Sequence, residues 1–330
     1  MQLTNQLTNL IQRLGALLCL AAVALAGAAG AQSYPVKPVR LIIPFPPGGP
    51  TNAVGRMFGE KLGVLWGQPV VVENRAGAGG NIGADAAAKS PADGYTILLI
   101  ANSHVMSAGL HDKLPFDPIK DFTPLSQILS YALVLVVHPS VAAGTLPELV
   151  ALARANPGKL ALASSGNGTS THLTAELFRS ASGIDFTHVP YKGAGPATID
   201  LLAGHAQMMF NDPVSALPMI RAGRLRALAT TGLARSAVLP ETPTVAESGY
   251  PGFQAGSWFA FVGPVGLPGD IARKLSADIN SVVQQADTRA RFAALGVDAI
   301  GSTPEQLAAV MQADLEKWTR VIRAAGIKAD

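Results

Sequence analysis

Two glycine-rich stretches hold the residue types best suited to chemistry in this chain, and that chemistry is the grip of uncharged donors on an anion. The first is RLIIPFPPGGPTNAVGR, from Arg40 to Arg56. Leu41, Ile42 and Ile43 have the apolar pattern of a buried strand. Pro44 to Pro50 cannot continue it, because proline removes donors and glycine permits a tight reversal. Thr51 or Asn52 then caps a helix whose apolar positions include Val54, Met57, Phe58 and Leu62. The second stretch repeats the pattern: a strand at Leu160 to Ala163, the loop Ser164-Ser165-Gly166-Asn167-Gly168-Thr169, and a helix to about Ser180. At such a junction free backbone N–H groups and the positive end of the helix dipole converge on one spot. Gly48-Gly49 also has a plainer reading, as a turn.

Candidate ligand contacts follow from these junctions. Phe45 is an apolar wall, and Gly48, Gly49, Thr51 and Asn52 are donors from the first loop. Ser164, Ser165, Gly166, Gly168 and Thr169 are donors from the second. His172, just inside the second helix, reaches the ligand or packs and caps. Asn211 and Asp212 follow a strand, and Asp212 either reaches the cleft or caps the next helix. Ser103, with His104, leaves the carboxyl end of a strand, where open α/β sheets bind ligands. Lys192 pairs with an anion or stays in solvent.

Other chemistries lack their residues. The first loop has neither the lysine and spacing of a phosphate-binding P-loop nor the pattern GxGxxG, so a carboxylate is favoured over a phosphate. The second loop is out of frame for G-x-S-x-G, and its GNG lacks the third glycine of a dinucleotide signature. No histidine pair has metal spacing. Neither catalysis, a metal nor a cofactor is expected.

The elements that must position the loops are short apolar runs alternating with helical patterns. Val70 to Val72 and Thr96 to Ile100 read as strands, with Asn81 as N-cap of a helix to Lys89 between them. This β-α-β-α-β order argues a parallel sheet covered by helices. Leu133 to Val137 reads as a strand entering a second domain. Thr145 to Glu148 is a capping box, and further strands fall at Phe186 to Val189, Gln207 to Phe210 and Leu225 to Thr230. Gly232 to Gly256 is an irregular connection, and Trp258 to Val262 a returning strand. Helices close the chain, the last from Thr303 with Leu307, Val310, Met311, Leu315 and Trp318 on its apolar face.

Residues 1–31 read as a secretory signal peptide: Arg13, an apolar core from Leu14 to Ala26, and Ala29-Gly30-Ala31 before the cleavage site. Cys19, the single cysteine, lies inside it, so the mature chain has no disulfide. Without Arg13 the formal charge of +3 becomes +2, and with no basic run this argues against nucleic acid. The remaining ~300 residues favour two domains.

PFPPGGPTN, GQPVVVENRAGAGGNIGA (Gly67 to Ala84), DGYTILL (Asp93 to Leu99) and KLPFDPIKDFTPLS (Lys113 to Ser126) together resemble the solute-binding receptors of tripartite tricarboxylate transporters, the Bug-type family. PGKLALASSGNGTSTHLTAELF (Pro157 to Phe178), HVPYKGAGPATIDLLAGH (His188 to His205) and LPETPTVAESGYPGF (Leu239 to Phe253) extend the resemblance over the mature chain. It implies a two-domain α/β periplasmic-binding-protein (Venus flytrap) fold with a ligand cleft between domains. The expected segments are 32–132 and 133–256, with 257–330 returning to the first domain. The implied function is capture of a mono-, di- or tricarboxylic or aromatic acid in the periplasm and delivery to membrane transporter subunits, by a monomer without cofactor. A sensor feeding a two-component kinase, and more remotely an exported enzyme, are the alternatives. Asn52 departs from the family's usual aspartate, which disfavours amino-acid ligands. Asn211-Asp212 departs too, since the family often has aspartate first.

Overall fold

The computed structural model describes residues 34–327 except 112 and 325; the expected signal peptide lies outside the described residues. Every element below falls within the compact unit of residues 37–330.

Apolar, β-branched runs form the first strands, β1 (Val39–Ile43), β2 (Val70–Asn74) and β3 (Thr96–Ala101). They pair in parallel, joined by α1 (Pro50–Trp66) and α2 (Asn81–Ala88). Two residues beyond β3 the chain turns into α3 (Ser103–Leu110), and β4 (Phe122–Ala132) follows. The expected caps shift by one to three residues. Gly49 holds the N-cap of α1, so Thr51 and Asn52 stand in its first turn, and Gly80 precedes α2 where Asn81 was expected. Proline tolerates the first helical position because its missing N–H has no intrahelical partner there, and Pro50 therefore starts α1 earlier.

A second sheet contains β5 (Val134–Val137), β6 (Ala161–Ser164), β7 (Thr187–Pro190), β8 (Met208–Asn211) and β9 (Arg226–Thr230). Its helices are α4 (Leu146–Ala155), α5 (Ser170–Ser182), α6 (Ala194–Leu202) and α7 (Pro213–Arg221). Thr145 caps α4 by accepting the Glu148 N–H. The chain then returns to the first sheet as β10 (Gly256–Pro264), followed by α8 (Gly269–Gln284), α9 (Ala286–Ala294), β11 (Asp298–Ala299) and α10 (Pro304–Ala324). Strand order is β11-β4-β10-β3-β1-β2 in the first sheet and β7-β6-β8-β5-β9 in the second. Both are mixed, because β10 runs antiparallel to β3 and β4, and β5 antiparallel to β8 and β9. The purely parallel first sheet expected from the strand–helix alternation therefore holds only for β1 to β3.

Each sheet has its own core. Ile42, Leu98, Ile100, Trp258 and Val262 pack with Leu307 and Met311 of α10 around the first. Val134, Val136, Leu201, Met209 and Leu225 pack around the second. Trp318 is fully buried, as its place on the apolar face of α10 implies.

The crossings between sheets meet at one side chain. Leu133 links β4 to β5, and its N–H donates to Thr231 Oγ1 at 2.8 Å. Thr231 Oγ1 donates in turn to Ala255 O at 2.7 Å, beside the start of β10. Backbone bonds Thr231 N→Leu133 O and Ala255 N→Thr231 O complete the clip. Thr231→Val keeps the shape but leaves a buried N–H and a buried carbonyl short of a partner. We expect it to lower unfolding free energy by about 1–3 kcal/mol in denaturant titrations; a loss below about 0.5 kcal/mol would show that the clip contributes little.

Candidate ligand-binding site

A cavity of about 40 Å³ lies between the halves built on the two sheets. Phe45, Gly49, Thr51, Ser103, Tyr131 and Phe259 line it from the first half. Ser165, Thr169, Ser170, Thr171, Ala194 and Asp212 line it from the second. Among the described residues no lysine, arginine or histidine lines it, and Asp212 is the one carboxylic acid that does.

Five helices begin at this cavity. Pro50 and Thr51 open α1, Ser103 opens α3, Ser170 and Thr171 open α5, Ala194 opens α6, and Asp212 stands at the N-cap of α7. At the starts of α1, α3, α5 and α6 the N-cap side chain makes no capping bond, so first-turn N–H groups keep their donor capacity. Their partial positive charges face the cavity, a setting that favours an anion.

The second loop is held taut from behind. Thr169 Oγ1 donates to Gly166 O at 2.7 Å, and the Ser165 N–H donates to Thr171 Oγ1 at 2.8 Å. Ser164 Oγ bonds His188 Nε2 at 2.7 Å and accepts from the Gly166 N–H. His172 Nδ1 accepts from the Gly168 N–H, and its ring stacks on His188 at 4.1 Å. Ser164, Gly166, Gly168 and His172 thus stand behind the wall and fix its geometry. The first loop is braced by an amide chain, Asn52 Nδ2 to Asn74 Oδ1 at 3.1 Å and Asn74 Nδ2 to Phe45 O at 2.8 Å. Asn52 is spent on that brace rather than facing the cavity. Asn211 likewise turns back, donating to Thr198 Oγ1 and accepting the Asp212 N–H. His104 points into an aromatic cluster with Phe116 and Phe122, where burial lowers its imidazole to about 4.

Glycines let the halves meet. A Cβ on Gly195 would come within 3.2 Å of the Gly48 backbone, and one on Gly79 within 2.9 Å of Asn167 O. Gly48 therefore serves the contact between halves rather than the cavity lining. Tyr131, Ser170, Thr171, Ala194 and Phe259 are lining residues that the sequence reading passed over. Ser170-Thr171 continue the second loop directly and carry its signal; Tyr131 and Phe259 lie on strands whose pairing brings them to the cleft.

Residues 54–327 match the sequence pattern of the tripartite tricarboxylate transporter family receptor. The chain belongs to this family. Protein BugT of Bordetella pertussis is 39% identical over 98% of this chain and 99% of its own. The solved structure of the periplasmic binding protein BugD superposes with a TM-score of 0.87 at 31% identity, covering 90% of this chain and all of that one. A Rhodopseudomonas palustris protein solved with adipate, Rpa4515, gives 0.87 at 32%, over 89% of this chain and 99% of its own. The fold is that of these periplasmic binding proteins. The family and its structural relatives are solute-binding proteins, not enzymes. Among the described residues no helix is long and apolar enough to cross a membrane, and no cluster of metal-ligating side chains occurs.

Asp212 gives the site a measurable pH signature. Its side chain is 2% exposed and accepts the Ser215 N–H at 2.8 Å. Burial pushes its carboxyl up to about 6 despite the amides of Ser215 and Val214 that favour the charge. The folded chain therefore holds this proton to higher pH than the unfolded chain, and stability falls as pH rises from about 4 to about 6. Asp212→Asn, which preserves the cap, removes that loss. Relative to the parent, the variant's unfolding free energy should improve by roughly 2–3 kcal/mol between pH 4 and pH 7. A pH-independent difference in denaturant titrations would contradict the shifted carboxyl.

Proposed function

We propose that this protein is a periplasmic receptor that captures a small carboxylate between its two halves and presents it to a tripartite tricarboxylate-type membrane transporter. In this reading residues 1–31 direct export and are removed. Segments 32–132 and 257–330 act as one domain and 133–256 as the other, closing on the ligand as a monomer. The observation that carries the ligand class is the set of helix starts around a cavity with no basic side chain. Such a site offers N–H donors in plenty, and a carboxylate accepts several of them at once. Adipate in the related Rhodopseudomonas protein is a dicarboxylate, which fits the same chemistry. Closure strengthens those bonds by excluding competing water, and a retained water can bridge acids of different length. Thr51 and Thr169 to Thr171 are the contacts assigned to the carboxylate, with Phe45, Tyr131 and Phe259 packing on its carbon skeleton.

The test is a thermal-shift screen of the mature chain against mono-, di- and tricarboxylic and aromatic acids, each with its amide as control. A ligand at ~100 times its dissociation constant adds about 2.7 kcal/mol to the folded state, a rise of roughly 5 °C for a chain this size. Acids that shift the transition while their amides do not are the expected outcome. Equal shifts from acids and amides would retire the carboxylate reading.

A further inference from the structure

Phe45 stands between two voids. One is the cavity described above; the other, of about 10 Å³, is walled by Pro44, Gly79, Gly80, Ala84, Ile100 and His104. The two share Phe45, Ala101 and Ser103 as lining. Ala101 ends β3 and Ser103 starts α3, so regular backbone holds both, and neither carries a long side chain. The Phe45 ring is therefore the movable part of the partition. Its backbone is fixed, because its carbonyl accepts from Asn74 Nδ2 at 2.8 Å and prolines flank it at 44 and 46. The residue is partly exposed, so rotation about its side-chain bonds is the freedom left to it. The second void is more than a packing gap. Gly79 and Gly80 bring no side chain to it, and a Cβ on Gly80 would sit 3.5 Å from Phe45 Cζ. His104 is 6% exposed, and its Nε2 carries the proton, since its partner at 2.9 Å is the carbonyl of Pro118. Burial keeps the ring neutral, which leaves Nδ1 as a lone pair without a hydrogen-bond partner among the described residues. Ser103 Oγ is nearly as free, its bond to Gly79 O being 3.5 Å long. A space with small apolar walls and two under-used polar atoms is built to take up more than a ring edge.

We propose that Phe45 is the residue that sets the length of acid this protein accepts: its ring ends the ligand cavity, and the chain of a longer acid reaches the second void only when the ring gives way. The inference rests on the carboxylate reading above and refines it. An acid short enough for the first void has the ring packed on its chain, and each methylene up to that length adds burial. The next one presses on the ring and must drive it from its rotamer, so affinity falls instead of rising. Without the ring the two voids join. Methylenes entering the joined space then gain the ordinary benefit of burial, about fourfold in affinity each. Phe259 is the contrast. It lines the cavity from β10, with its ring edge on Tyr131, but has no part in the second void. Trimming Phe259 loosens one wall without opening a way past Phe45.

The experiment is calorimetric titration of the mature protein with two unbranched series, monocarboxylates from acetate to octanoate and dicarboxylates from malonate to suberate, with the corresponding amides as controls. In the parent protein affinity should climb along a series to one length and then fall. In Phe45→Ala the optimum should move to acids at least about two carbons longer, affinity rising about fourfold per methylene over the stretch where the parent's declines. Phe45→Leu, which keeps a branched apolar side chain of intermediate size, should move it less, and it carries the test if the alanine variant does not fold. Phe259→Leu should weaken binding at every length and leave the optimum in place. The thermal transition without ligand reports whether each variant is folded. An optimum that stays put in a folded Phe45 variant, a loss of affinity equal at every length, or the same displacement from Phe259→Leu overturns the role of Phe45 and leaves the carboxylate reading standing. Amides binding as well as acids, or no member of either series binding, overturns the carboxylate reading and this inference with it.

Discussion

The proposed function turns on how an anion can be taken out of water without a cation to receive it. An unpaired charge in a low-dielectric interior is prohibitively unfavourable. Among the described residues no lysine, arginine or histidine lines the cavity. What remains is the backbone. Helix starts supply N–H groups that already lack partners, with the dipole behind them. To bring several such starts to one point, strands must end together and reverse into helices at once. That is what the Pro44–Gly49 and Ser164–Thr169 loops accomplish, one on each sheet. Donors fixed on rigid helices need little reorganisation on binding, and the second tier of hydrogen bonds, from Asn52 and Asn74 behind one loop and His172 and His188 behind the other, holds them in place.

The same requirement explains the glycines at the contact between halves. Backbone donors work only at hydrogen-bonding distance, so the two loops must come nearly into backbone contact. Gly195 lies against Gly48 and Gly79 against Asn167 O, at separations that leave no space for a side chain. The connection between the two sheets is equally economical. A single threonine hydroxyl joins Leu133 and Ala255, so both crossings share one buried pivot. Inter-sheet geometry and, in the proposed function, ligand grip are thus set largely by backbone.

That division decides what was legible in the sequence. The loops announce themselves locally, because a strand cut off by PFPPGG or SSGNG before a helix has few other readings. The residues that contact each other across the cleft do not, since nothing near Gly195 points to Gly48. β4 was missed because FTPLSQILSYA alternates poorly and contains Pro124. The strand accepts that proline beside a register shift opposite Phe261 and Val262, where a ladder bond is already lost. Without β4, Tyr131 could not be placed at the cavity. α3 was missed because SHVMSAGL is short and starts with no side-chain cap. His172 and Asn52, singled out by type and position, turned out to brace the loops; which atom a polar side chain finally bonds depends on partners far along the chain, such as His188 and Asn74.

The most direct test of the account is a crystal structure of the mature protein with an acid from the screen bound. The account predicts one carboxylate of the ligand between the halves, its oxygens within about 3.2 Å of the Thr51 and Ser170 or Thr171 amide nitrogens, or joined to them by a single water. An acid held by a lysine or arginine, or seated outside the space between the two sheets, would contradict it.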